Sequence, residues 1–149
     1  MVDSVGVFLN VVQSGLVVSG NGYMTCTRVV NSGDALTSFR VSGPNDFIGL
    51  RLSPGRTNVL TGGYTEVADV IVCDIYHHDT SFATSGVVQS GASVAAVQRM
   101  TNDMKTTVAS GVWTGYGISP PKLIGETHPL AQSMFSRATL TYRTRYLNP

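Results

Sequence analysis

The sequence predicts an α+β domain: a mixed, mostly antiparallel sheet with two helices packed on one face. Three patterns predict it. Apolar residues recur at three- and four-residue steps around residues 1–16 and 93–109, the spacing of one helical face. Residues 66–76 are apolar on both alternating sets, as a strand in the middle of a sheet must be. Residues 136–146 alternate strictly, the pattern of a half-buried antiparallel strand. A chain of 149 residues suits a single domain, and no linker or internal repeat interrupts it.

The elements follow in order. Val5, Phe8, Leu9, Val12 and Leu16 share one face of the first helix, which outweighs the strand tendency of its valines. Asp3 or Ser4 caps its start and Gly15 helps end it. Gly20-Asn21-Gly22 reads as a turn, and residues 23–30 as a strand rich in β-branched residues. Residues 31–46 read as loop, with a short edge strand at Ser38–Val41. A further strand covers Phe47 to Leu52, and Pro54, Gly55, Gly62 and Gly63 mark residues 53–63 as irregular.

In the strand from Glu66 to Tyr76, Val67, Ile71, Cys73 and Ile75 face one way, together with Asp69. Ala68, Val70, Val72 and Tyr76 face the other, together with Asp74. His77-His78-Asp79-Thr80 ends it, and residues 80–92 read as loop. The second helix, about Ser93 to Ala109, carries Val94, Val97, Met100, Met104 and Val108 as its stripe, helped by Thr101. Ser90 or Ser93 is its cap and Ser110-Gly111 its stop. A short strand is expected at Lys122–Glu126. In the last strand Ala138, Leu140, Tyr142, Thr144 and Tyr146 oppose Arg137, Thr139, Thr141, Arg143 and Arg145. The predicted order is helix, three or four strands, helix, two strands.

Composition narrows the function. Charged residues make up 13% of the chain, against about a quarter in ordinary domains. A neutral surface rich in Ser, Thr and Gly is desolvated at lower cost than one rich in Lys and Glu, which suits burial against a partner. Ten Lys+Arg against nine Asp+Glu leave a net charge of +1, too weak a field to capture nucleic acid by counterion release alone. Cys26 and Cys73 lie in apolar runs outside any CxxC pair and read as buried free thiols, with a disulfide between them the alternative that geometry decides. No apolar run is long enough for a membrane span. Met1 to Leu16 has Asp3 and no basic start, so no leader is expected there.

Candidate chemistry is sparse. His77-His78-Asp79 is the one cluster with metal-ligating types, and His128 is the remaining histidine. Adjacent strand residues point to opposite faces, so three in a row do not converge on one ion. Asp69 and Asp74 likewise face opposite sides and do not act as an acid–base pair; Asp69 is expected to face a partner, a pore or solvent. No nucleophile elbow, phosphate loop or dinucleotide fingerprint is present. The chain therefore reads as a non-enzyme with no cofactor and no metal. Arg137, Arg143 and Arg145 place three of the ten basic residues within nine positions on one strand face. That row suits pairing between subunits; no aromatic residues interleave with it to stack on bases.

The layout resembles that of the tail terminator proteins of long-tailed bacteriophages, also called tail completion or minor tail proteins. The likeness rests on the opening amphipathic helix at Val2–Leu16, the central strand Ala68–Tyr76 leading to the helix around Ala95–Val108, and the alternating closing strand Phe135–Tyr146. The resemblance implies a virion structural protein at the head-proximal end of the tail, assembled in the host cytoplasm. Such proteins form a homo-oligomeric ring, usually of six copies. The ring stops growth of the tail tube and joins it to head-completion or connector proteins, and the genome DNA passes through it without sequence recognition. The resemblance also implies a mixed sheet with helices on one side. Arg137, Arg143, Arg145 and Asp69 are the candidate subunit-interface residues. The alternatives are another viral assembly protein (a capsid subunit or head–tail connector component), a small metal-dependent hydrolase using His77, His78, Asp79 and His128, and a nucleic-acid binder using the arginine row.

Overall fold

A computed structural model describes residues 2–18, 25–29, 46–60, 62–78, 90–132 and 135–148. The elements are α1 (Ser4–Val18), β1 (Thr25–Arg28), β2 (Asp46–Val59), β3 (Thr65–His78), α2 (Ser90–Ser110), β4 (Lys122–Glu126), β5 (Leu130–Gln132) and β6 (Phe135–Asn148). The strands form one sheet in the order β1-β2-β3-β6-β4, with β5 also paired to β6. Among the described strands only the β1–β2 pair is parallel. This is the α+β class read from the sequence. The expected edge strand at Ser38–Val41, the turn at Gly20-Asn21-Gly22 and most of the 80–92 loop lie outside the described residues.

Both helices cover the same side of the sheet. Val5, Phe8, Val12 and Leu16 of α1 and Val97, Met100, Met104 and Val108 of α2 share one buried cluster with Ile48, Leu50, Ile71, Cys73, Ile75, Leu140 and Tyr142. The strand residues are those whose alternation turns them inward. Cross-strand register brings them level: Ile48 with Ile75, Cys73 with Leu140 and Ile71 with Tyr142. Phe8 sits at the centre, with ring centroids 5.6 Å from Trp113 and 5.4 Å from Tyr142. Cys26 and Cys73 are buried free thiols. Burial pushes the Cys26 thiol up to about 12. Burial also raises the Cys73 thiol well above its ordinary value, with Cys26 and Asp74 adding to the effect, so both behave as small packing groups.

Helix α1 begins as its sequence implies. Asp3 Oδ1 accepts a hydrogen bond from the Gly6 amide at 3.1 Å, an N-cap that satisfies one unpaired helical donor. The Gly6 amide holds the Asp3 carboxyl below its ordinary value, against a smaller desolvation effect and with help from Arg28. Gly15 was expected near the helix end; it lies inside α1 instead. Its role is close approach, because a Cβ there would overlap Thr107 Cγ2 of α2. Ala is favoured over Gly by about 1 kcal/mol in a helix interior. Gly15→Ala is nevertheless expected to lose about 1–2 kcal/mol through overpacking, and Thr107→Ser, which removes the obstructing methyl, restores the loss; thermal melts of the single and double variants check this.

Three strand boundaries also differ from the sequence reading. Strand β2 continues through Pro54 and Gly55 to Val59. Register shifts there: Ser53 pairs with Val70 and Arg56 with Ala68, so two residues of β2 oppose Asp69 alone. That is a β-bulge, where a proline lacking its N–H is tolerated. Among the described residues, β1 accompanies β2 only as far as Leu50, and no described strand pairs with the outer side of the bulge. Strand β3 runs on to His78 rather than stopping at Tyr76. Finally, β5 makes the closing region three strands rather than two. The β2–β3 hairpin turns at Leu60–Tyr64, closed by Leu60 N–H to Tyr64 O at 2.7 Å. Gly62 and Gly63 supply its positive φ values of 89° and 84°.

Candidate assembly surfaces

The sheet face away from the helices has an ionic centre. Asp74 is fully buried there. Its Oδ2 accepts Arg51 Nε at 3.0 Å and its Oδ1 accepts Arg137 Nη2 at 3.1 Å. Thr139 Oγ1 donates to Oδ1 at 3.3 Å. Register makes this possible: Asp74 lies between Gly49, which presents no side chain, and Thr139. Arg51 and Arg137 reach in from neighbouring rows. The Arg137 guanidinium also sits 5.6 Å from the centroid of the Tyr76 ring. Beside it, Val29, Phe47, Tyr76 and Phe135 form a second apolar cluster.

The predicted arginine row is thus divided. Arg137 is engaged within the subunit by Asp74. Arg143 and Arg145 lie farther along β6, level with Val70 and Ala68, and are exposed. Lys122 of β4 is level with Arg143. Among the described residues, Lys122, Arg143 and Arg145 have no carboxylate within ion-pair distance. Three cations therefore share one patch in which no described carboxylate pairs with them.

Asp69 occupies the helix side of the sheet, as the alternation requires, and the bulge in β2 stands opposite it. It lines a pocket of about 520 Å³, bounded by Val2, Ser4, Leu52, Thr57, Val67, Tyr146 and Asn148 among others. The residue is only 7% exposed. Its Oδ2 accepts the Ser4 hydroxyl at 2.7 Å. No other described group hydrogen-bonds it, and no described cation pairs with it. Arg28 also lines the pocket, but it is bound to Asp3, another lining residue, at 2.7 Å. Desolvation, then the charge of Asp69, raises the Tyr146 phenol above its ordinary value.

A second concavity of about 500 Å³ lies between the helices, lined by Asn10, Ser14, Thr106, Ser110, Val112, Tyr116 and neighbours. Large apolar side chains stand in water at several points: Val59 is 83% exposed, Val112 72% and Leu130 63%.

The histidines are dispersed. His77 is half-buried at the end of β3, opposite Ser136, and His128 is exposed on the segment between β4 and β5. The side chains of His78 and Asp79 lie outside the described residues. Among the described residues no three His, Cys, Asp or Glu side chains group as a metal site, and no helix is long and apolar enough to cross a membrane. The stretches read from the sequence as loop or irregular, 31–46, 53–63 and 80–92, fall partly outside the described residues; the 53–59 portion is strand. The Asp69 pocket was not read from the sequence. Its one signal was Pro54-Gly55 beside a strand segment. No protein-family model matches the chain, and no curated protein matches it.

Proposed function

We propose that this chain is a structural protein of a virion that works by assembling with copies of itself, as a ring of the tail terminator kind. Its partners on this reading are the tail tube below, a head-completion or connector protein above, and genome DNA passing through the hole. One observation carries the reading. A chain with 13% charged residues leaves Val59, Val112, Leu130 and Leu147 more than half exposed. These side chains sit at the hairpin tip, after α2, and on β5 and β6, so the apolar surface is spread over several sides. Scattered single apolar residues are ordinary; in a charge-poor surface they gain from being covered by neighbours. The work of such a protein is shape and surface complementarity, and no bond chemistry is assigned to it.

Negative-stain electron microscopy of the purified protein tests the proposal. Small closed rings with a central hole are the expected result. A closed shell would transfer the reading to a capsid subunit. Single isolated particles of subunit size would contradict it.

A further inference from the structure

We propose that the pocket holding Asp69 is a socket for the Arg143 and Arg145 side chains of a second copy of this chain. The inference rests on the self-assembly reading and names the surfaces that meet.

The socket side is defined by an imbalance. A carboxyl group removed from water is ordinarily met by a cation or by several hydrogen bonds. Asp69 is 7% exposed, yet its described partners amount to the Ser4 hydroxyl on Oδ2. It lines a pocket of about 520 Å³, ample for a guanidinium and part of its stem. Leu52 and Val67 give that pocket apolar walls for the methylenes, and Tyr146 and Asn148 give it polar groups. Arg28 and Asp3, which also line it, neutralise each other and leave Asp69 as its charge with no described ion-pair partner. A planar guanidinium fork matches a carboxyl better than a point charge does, and a long arginine stem packs on apolar walls while its head finds the acid.

The plug side shows the opposite imbalance. Arg143 and Arg145 are exposed and have no described ion-pair partner. Lys122 beside Arg143 adds to the local positive charge. Glu66, on the same face, makes no ion pair with them.

Geometry decides how the two sides meet. Asp69 is level with Thr144, and Arg143 and Arg145 flank Thr144 along β6. Successive side chains of a strand point to opposite faces. Socket and plug therefore lie back to back through the sheet. A chain does not fill its own socket. Nor does one two-fold contact engage both, since a two-fold interface uses a single patch on each copy. The pairing is head-to-tail, so each copy offers a plug to one neighbour and a socket to the other.

Two variants test this: Asp69→Asn, which keeps an acceptor for Ser4 while removing the charge, and the double variant Arg143→Glu/Arg145→Glu. Each alone is expected to assemble roughly 30-fold or more weakly than the wild type, the scale of truncating one partner of a buried charge pair. Mixed in equal amounts, they retain one intact plug and one intact socket between them. The expected product is a one-to-one heterodimer with nothing larger, read by sedimentation velocity. Circular dichroism checks the fold of each. Arg143 and Arg145 are exposed, so their double variant carries the test even if Asp69→Asn unfolds. Variants that assemble as the wild type does would overturn the pairing and leave the self-assembly reading standing, as would a mixture that stays monomeric while the wild type assembles. A wild type that never assembles would overturn both.

Discussion

Removing both arginines from Asp74, as Arg51→Met/Arg137→Met, is expected to destabilise the fold by about 3–5 kcal/mol, the cost of leaving a buried charge uncompensated. The argument lies in an asymmetry of burial. Asp74 side-chain exposure is 0%, while Arg51 and Arg137 retain 27% and 35%. An arginine deprived of Asp74 can turn toward water. Deprived of both arginines, Asp74 has Thr139 at 3.3 Å as its only described side-chain partner. The reverse change, Asp74→Asn, is therefore expected to cost less than the double arginine variant. Combining all three substitutions should recover much of the loss, because the neutral amide no longer needs a cation. This non-additivity is the diagnostic quantity, and urea unfolding of the variants measures it. A triple variant no more stable than the double would mean that Asp74 is not the group demanding compensation.

Phe8→Ala is expected to be comparably severe, at about 3–5 kcal/mol. Phe8 is fully buried, and its ring meets Trp113 from the segment after α2 and Tyr142 from β6. One side chain thus joins α1, the sheet and the segment closing over them. Trp113 is itself fixed by donating Nε1–H to the Val108 carbonyl at 3.1 Å, so it is poorly placed to collapse into the space. Phe8→Leu, which retains most of the volume, should cost well under half as much. Equilibrium unfolding of the two variants separates cavity formation from a general intolerance at the site.

The two faces of β6 were legible because strict alternation over eleven residues, 136–146, has one physical meaning. The central position of β3 was legible for a related reason: a strand apolar on both faces has to be covered twice. The stripe on α2 followed from its 3.6-residue period. What was not legible depended on neighbours. Pro54-Gly55 has the composition of a loop, and only pairing with β3 turns it into a bulge within a strand. Gly15 has the composition of a helix stop, and only the proximity of Thr107 makes it an interior contact. Strand β5 is three residues long and follows Pro129; its pairing with Arg137, Ser136 and Phe135 defines it.

The candidate interface was legible to a similar extent. The sequence placed Arg137, Arg143 and Arg145 on one face and Asp69 on the other. It did not reveal that Asp74 claims Arg137, because that depends on the register of three strands. Nor did it reveal that no described cation pairs with Asp69, because that depends on Arg28 being held by Asp3.

Sedimentation equilibrium of the wild-type chain over a wide range of concentration addresses self-association with the fewest assumptions. A mass that rises with concentration from the 15.8 kDa subunit and then stops at a fixed multiple is the predicted result, since a head-to-tail contact that closes has no free end left to extend. A mass that stays at one subunit throughout would contradict it.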